Sequence, residues 1–477
     1  VYDIVIGGRK MIAESVISKV KKQNHMLPTR QIALSFLGVI FVGSLLLSLP
    51  IANAKTPTSY INHLFIAVSA TCVTGLVTVV PAQQYTLFGQ IVIIVMIQIG
   101  GLGFLTFLYI LLIKIKRKLT LNSKIVLQEA LNQNSMNKLP YFIKKVLCFT
   151  FGVEAIGAIL LSSQFISHYG WIKGIYFGIF HSVSAFCNAG FDVLGSQSIM
   201  PYQSNVIVNL TIDFLIVAGG LGFIVWFDLG DKIKKYFKCR HQNRRPLFKT
   251  LTVHSKIVLT MTSFLIVFAA VVFFLCEMNN PETIGNLSPF DQFLTSLFQS
   301  ITLRTAGFAS VPMDCLNDAT KLMMSIVMFI GGSPAGTAGG IKTVVFAIAV
   351  LLVYHVYCGR KEITVFSRRI PKHVILRAFT IMFISLMITF VGIFILSISE
   401  QAPFIDIVFE CVSAFATVGL SASLTPQLTI VGKIVIMILM FIGRIGPITM
   451  VISFARKSNM HDGKKEIMYS DGHILLG

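Results

Sequence analysis

Hydrophobic positions along the chain fall in long blocks rather than in scattered amphipathic stripes. Four blocks, about 32–53, 141–166, 253–277 and 374–399, are long enough to cross a bilayer, which takes roughly 20 apolar residues. Each is followed by a shorter apolar piece, at 59–72, 172–186, 288–302 and 402–416. These are too short to span and are suited to re-entrant helices. A second long block closes each unit, at about 87–113, 204–228, 319–358 and 428–455. The pattern predicts an all-α integral membrane protein of four tandem units, each a helix, a re-entrant pore helix and a helix, with eight spanning helices in all. The units are drawn at 32–118, 141–230, 253–358 and 372–457. They lie between a basic N-terminal segment, 1–31, and a C-terminal tail, 458–477.

Each short block ends in a related motif. Ser69-Ala-Thr-Cys-Val-Thr-Gly75, Ser184-Ala-Phe-Cys-Asn-Ala-Gly190 and Ser413-Ala-Phe-Ala-Thr-Val-Gly419 share one length, and Ser300-Ile-Thr-Leu-Arg-Thr-Ala-Gly307 is one residue longer. The final glycines recur at a nearly constant interval along the chain. A second glycine cluster, beginning at Gly100, Gly219, Gly331 and Gly443, follows each of them at a nearly constant offset. Two landmarks keeping step four times predict a pseudo-fourfold ring.

Non-helical backbone at membrane depth is tolerated only where it is buried in protein or faces water. A ring of backbone carbonyls can replace the hydration shell of a cation. Glycine, lacking Cβ, allows the backbone angles that turn carbonyls inward. The C-terminal ends of four short helices would add partial negative charge. The candidate selectivity filter is therefore Val73, Thr74, Gly75, Asn188, Ala189, Gly190, Thr305, Ala306, Gly307, Thr417, Val418 and Gly419. The glycines at 100–104 and 219–223 are open to either a functional or a close-packing reading.

Composition agrees with a membrane chain. Only 13% of residues are charged and 55% are hydrophobic, against roughly 25% charged in a soluble domain. The net charge of +20 would suggest a nucleic-acid partner, but its placement argues against one. Thirty-three of the 40 Lys and Arg, with nine of the 20 acids, lie in 1–31, 114–145, 228–256, 359–377 and 456–477. Five basic stretches between apolar blocks read as cytoplasmic segments, with both termini inside. The densest, 228–256, suits anionic lipid or a cytosolic subunit. The eight cysteines form no C-x-x-C pair. No P-loop, H-E-x-x-H or G-x-S-x-G motif is present, so an enzyme is not expected. A carrier for anions or organic solutes would present helix N-termini at the midplane, whereas these short helices present C-termini.

The four loops, the run Ile330-Gly-Gly-Ser-Pro-Ala-Gly-Thr-Ala-Gly-Gly-Ile-Lys-Thr343 and the motif Phe441-Ile-Gly-Arg-Ile-Gly-Pro447 resemble the Trk/Ktr/HKT superfamily of potassium transporters. With no extra N-terminal helix pair, the chain is most like the membrane subunit of bacterial Ktr systems. The resemblance implies gated potassium uptake across a bacterial plasma membrane. It also implies a homodimer in lipid, a cytosolic ring of RCK nucleotide-binding proteins of the KtrA or KtrC kind, and activation by sodium. No cofactor is implied in this chain, with K+ as the transported ion at the filter. Glycine at all four filter positions goes with potassium preference in the family. The alternative is a sodium-coupled or sodium-conducting transporter of the same fold.

The resemblance also assigns a gate. Gly331, Gly332, Ser333, Pro334, Ala335, Gly336, Thr337, Ala338, Gly339 and Gly340 would break a helix, at about 0.8–1 kcal/mol per Gly and about 3 for Pro. Lys342 would anchor that loop to carbonyls or snorkel. Arg444 would be a positive barrier below the filter or the partner of a buried acid such as Glu154, Asp213 or Glu410. Asp192, with Asp314 and Asp318 nearby, would line an outer vestibule or cap turns. Arg304 would point behind the filter and brace it, or snorkel at the surface. His181 reads as a packing residue, and Trp171 and Tyr60 as interfacial anchors.

Overall fold

The computed structural model describes residues 28–55, 58–103, 139–238, 246–360 and 362–447. The basic segment up to residue 27 and the tail 458–477 lie outside them. The first unit contains α1 (Pro28–Ser48), α2 (Tyr60–Cys72) and α3 (Leu87–Leu102). The second contains α4 (Leu139–Tyr169), α5 (Trp171–Cys187), α6 (Val206–Gly220) and α7 (Phe223–Lys238). The third contains α8 (Val253–Glu277), α9 (Pro289–Thr302), α10 (Asp318–Ile330) and α11 (Thr343–Tyr357). A two-stranded hairpin, β1 (Thr364–Val365) and β2 (Arg368–Arg369), precedes the fourth unit. That unit contains α12 (Lys372–Ser399), α13 (Phe404–Ala416) and α14 (Ile430–Ile445).

Hydropathy explains the first helix of each unit. Among the described residues, four helices are long and apolar enough to cross a membrane: Arg30–Ser48, Pro140–Tyr169, Val253–Glu277 and Lys372–Ser399. Only a third or less of each is buried in protein, and exposed positions such as Phe41, Ile159, Val267 and Phe390 are apolar. Such a surface suits lipid.

The second blocks differ from the sequence expectation. The apolar run 204–228 is not one straight span, because α6 and α7 meet at 98°. Block 319–358 is divided into α10 and α11 by residues 331–342, as its glycines and proline predict. Each second helix ends at or just before a glycine with positive φ: Gly103 (81°), Gly222 (86°), Gly331 (61°) and Gly446 (96°). Hydropathy cannot register these breaks, because glycine does not interrupt an apolar average while it does release the helix backbone.

The units close into a ring. Within each, the short helix packs against the long helix, and the second helix of each unit packs on the short helix of the next: α3 on α5, α6 on α9, α10 on α13, and α14 back on α2. Polar side chains tie several of these helix pairs together. Tyr176 Oη donates to Gln90 Oε1 (2.8 Å), Lys321 Nζ to Asp406 Oδ1 (2.8 Å) and Lys433 Nζ to Asn62 Oδ1 (2.9 Å). A second set of ties holds the start of second helices. Glu277 accepts from Asn317 N–H and Thr320 Oγ1, and Glu400 accepts from Thr429 N–H and Oγ1. These carboxylates sit at helix N-termini, where unpaired N–H groups favour negative charge.

Candidate functional site

The short helices α2, α5 and α13 end in one shared motif. Val73, Asn188 and Thr417 adopt the left-handed conformation, with φ of 59°, 61° and 54°. Each donates its N–H three residues back: Val73 to Ala70 O (3.2 Å), Asn188 to Ala185 O (3.1 Å) and Thr417 to Ala414 O (3.1 Å). The following residue reaches five back: Thr74 to Ser69 O, Ala189 to Ser184 O and Val418 to Ser413 O, all 2.8 Å. This pair of bonds is a Schellman motif, which ordinarily has glycine at the left-handed position. Valine or threonine there costs about 1–2 kcal/mol. Two backbone bonds at about 1 kcal/mol each are enough to offset it. In the third unit Thr305 takes the corresponding conformation (φ 68°), but α9 ends differently and Ala306 N–H returns to Thr302 O (2.9 Å).

That difference corrects the motif alignment. Ser184 Oγ donates to Phe191 O (2.7 Å), and its counterpart in unit three is Thr302, whose Oγ1 donates to Phe308 O (2.8 Å). Ser300, chosen from the sequence, turns away and donates to Ile266 O (2.5 Å). Ser69 and Ser413 use the same position to accept the N–H of Gly75 (3.0 Å) and Gly419 (3.1 Å). The third loop is therefore one residue shorter from its hydroxyl to its glycine, not longer.

The four glycines then form a closed circuit. Gly75, Gly190, Gly307 and Gly419 all have positive φ (96°, 67°, 80° and 98°). A Cβ on Gly75 would collide with Ala189 O, one on Gly190 with Ala306 O, one on Gly307 with Val418 O, and one on Gly419 with Thr74 O. Each glycine is thus pressed against the carbonyl preceding the next glycine, and the fourth returns to the first. Glycine is required here by space as well as by φ. A cavity of about 240 Å³ opens on one side of the ring, lined by the four glycines together with Asp192 and Asp314. Asp192 is half-buried, and its Oδ1 has no hydrogen-bond partner. Burial pushes its carboxyl up to about 7, opposed by hydrogen bonds from the Gly195 and Leu194 backbone and from Ser198. Asp318 does not line the cavity; it is exposed in the first turn of α10.

Polar side chains brace the chain beyond the third and fourth glycines. Gln299 Nε2 donates to Ser310 Oγ (2.9 Å), and Glu410 accepts from Ser421 Oγ (2.8 Å) and Thr425 Oγ1. His181 is fully buried against Phe165 and Phe180, with Nδ1 on Phe177 O (2.7 Å), as a packing residue should be. Arg304 is buried rather than at the surface, and neither Nη atom has a hydrogen-bond partner among the described residues. Trp171 and Tyr60 stand exposed at the starts of α5 and α2.

On the face opposite the cavity lies segment 331–342. It wraps the end of α6, with Ser333 N–H on Gly220 O (3.0 Å), Thr337 N–H on Gly219 O (3.1 Å) and Phe223 N–H on Ala335 O (3.0 Å). Lys342 Nζ anchors it to Ala338 O (2.6 Å) and also reaches Gly339 O (3.4 Å). Arg444 has no carboxylate partner among the described residues. Its Nη1 donates to Thr337 O, and its Nη2 to Gly100 O (2.5 Å) and Gly101 O (3.2 Å). Those last carbonyls are left free where α3 ends, a favourable place for a cation. Of the acids considered from the sequence, Glu154 pairs with Gln98 Nε2 (3.1 Å) and Glu410 with its two hydroxyls, while both Asp213 oxygens lack partners.

The second glycine clusters are packing contacts. A Cβ on Gly100, Gly219 or Gly443 would collide with the carbonyl of Thr71, Phe186 or Phe415, each in the last turn of a pore helix. Sequence reading missed the left-handed Val73, Thr305 and Thr417, the Thr302 hydroxyl and the inter-unit ties. One signal for the ties was available: Lys321 and Lys433 stand at the same interval from each other as Gly307 and Gly419.

Residues 9–463 match the family model TrkH, described as a cation transport protein. The chain is 42% identical over 459 residues to Ktr system potassium uptake protein B of Bacillus subtilis (strain 168), covering 96% of this chain and 99% of that protein. It is 37% identical to the potassium/sodium uptake protein NtpJ of Enterococcus hirae, covering 97% and 100%. Among solved structures it resembles the potassium transporter TrkH from Vibrio parahaemolyticus, with a TM-score of 0.68 at 18% identity over 91% of this chain and 86% of that one.

Proposed function

Given that the chain belongs to the TrkH cation-transport family, we propose that it carries out potassium uptake through the ring formed by its four loops. The observation that carries this reading is the closed circuit of Gly75, Gly190, Gly307 and Gly419 with the carbonyls of Ala189, Ala306, Val418 and Thr74. Those carbonyls are the ligands that a dehydrated cation needs. The name of the B. subtilis relative includes potassium uptake, which supports the choice of ion, while that of the E. hirae relative is potassium/sodium uptake, which keeps the sodium alternative in the test.

In this reading the 240 Å³ cavity is the outer vestibule, and Asp192 concentrates cations in it. Segment 331–342 and Arg444 close the path on the cytoplasmic side. The interrupted second helices complete eight membrane crossings, with both termini cytoplasmic in a bacterial plasma membrane. The functional unit is a homodimer that works with a cytosolic nucleotide-binding ring, and sodium activates it. The word "system" in the name of the B. subtilis relative supports the presence of further components.

The test is potassium uptake in cells lacking their own potassium transporters, with and without a cytosolic Ktr-type partner. Saturable uptake that restores growth at low potassium is expected. Gly75→Ser should lower the preference for potassium over sodium, because any side chain there displaces the Ala189 carbonyl. No potassium uptake from verified, membrane-inserted protein with partner present would overturn the reading, and sodium uptake under those conditions would establish the alternative.

A further inference from the structure

Thr337 is fully buried, and every polar atom it carries is engaged with another unit of the ring. Its N–H donates to Gly219 O, and its carbonyl accepts from Arg444 Nη1. Its Oγ1 hydrogen is shared between Phe186 O and Asn188 Oδ1, both 3.1 Å away. The Asn188 side chain then continues the chain of contacts. Its Nδ2 donates to Arg304 O (3.0 Å), which immediately precedes the left-handed Thr305 of the third loop. The carbonyl at Arg304 requires a donor, so the amide orientation follows from its surroundings. Asn188 is itself two residues before Gly190 and has no exposed surface.

Among the described residues this connection exists in only one quadrant. The residues matching Asn188 are Val73, Thr305 and Thr417; valine has no polar atom, and both threonine hydroxyls lack partners. One amide therefore joins segment 331–342 to two adjacent filter loops. Resting on the pore reading above, we propose that Asn188 is a positioning residue that couples the gate to the filter. Segment 331–342 cannot withdraw from beneath the ring without breaking the Thr337–Asn188 bond. The amide that locates the Arg304 carbonyl is then released, and the third loop loses a constraint. Opening and ion selection are linked, and the linkage is reciprocal: ions in the filter bias the segment as strongly as the segment biases ion affinity.

The experiment uses the full-length protein reconstituted in vesicles, with potassium and sodium fluxes measured separately. Thr337→Val keeps the shape, N–H and carbonyl and removes only the hydroxyl. It should raise total flux and lower the potassium-to-sodium ratio together, by about five-fold in the ratio for one lost hydrogen bond. Thr337→Ser, which retains the hydroxyl, should restore both. Asn188→Leu should produce the same paired change, and adding Thr337→Val to it should change little more, because both remove one link. A Thr337→Val protein with altered flux and an unchanged ion ratio would overturn the coupling while leaving the pore reading intact. Additive effects in the double variant would overturn it equally. Wild-type protein that conducts neither ion with a cytosolic Ktr-type partner present would sink both readings.

Discussion

Arg444 is the residue whose sequence reading most needed its neighbours. Its position in a glycine-flanked apolar helix identified it as costly, at about 2.5–3.5 kcal/mol near the bilayer centre. Its three carbonyl partners, on α3 and on segment 331–342, come from distant parts of the chain. Arg444→Ala removes a positive charge worth about 1–2 kcal/mol to a cation roughly 8–16 Å away at an effective dielectric near 20, and also unties the segment. Potassium flux should rise by about ten-fold; an unchanged flux would remove Arg444 as a barrier. At Asp192 the pH dependence has a defined sign. Its carboxyl titrates near 7, so the uncharged form prevails below that pH and the carboxylate above it. Raising external pH from 6 to 8 should increase potassium uptake at low concentration by about five-fold, the worth of one nearby unit charge in water. Asp192→Asn should make the profile flat over that range.

At the scale of elements, the short pore helices were legible because three signals coincide: a brief apolar block, a glycine motif and a constant spacing. Their terminations were not legible. Val73 and Thr417 are β-branched and disfavour the left-handed conformation, so local propensity points away from what is observed. The Schellman bonds and the next loop's backbone over-determine it. In the second helices glycine allows close packing against the short helices, while its carbonyls remain free to accept from Arg444 and from segment 331–342. Gly100→Ala would drive a Cβ into the Thr71 carbonyl, an overpacking expected to cost about 1–3 kcal/mol. Gly38→Ala, on α1 where nothing beyond the helix's own backbone lies within 4 Å of the added Cβ, should be stabilising by up to about 1 kcal/mol. Thermal unfolding in detergent distinguishes the two, and equal melting temperatures would refute the packing assignment.

For the whole molecule, closure of the ring depends on contacts between units rather than within them. The Lys321–Asp406 pair is largely buried, with side-chain exposures of 7% and 15%, and joins the third unit to the fourth. Removing one partner from a buried pair is costly, about 3–5 kcal/mol, whereas replacing both with apolar side chains is often nearly neutral. Lys321→Met should therefore lower the melting temperature sharply, and Lys321→Met combined with Asp406→Leu should recover most of the loss. Equal stability of the single variant and wild type would show that the pair contributes nothing to closure.

Sequence alone determined the apolar helical class, the four recurring glycines that prove to have positive φ and the helix break at 331–340, because each is written in local composition or in spacing along the chain. Hydropathy averages over the length of a whole span, and so it passed over the 98° bend after Gly220 and the register of the third loop at Thr302. Only the tertiary structure decided which carbonyls hold Arg444, which glycines pack and which face the ring, and how Asn188 and Thr337 meet. Those outcomes depend on atoms far apart in sequence that only closure of the ring brings within hydrogen-bond distance.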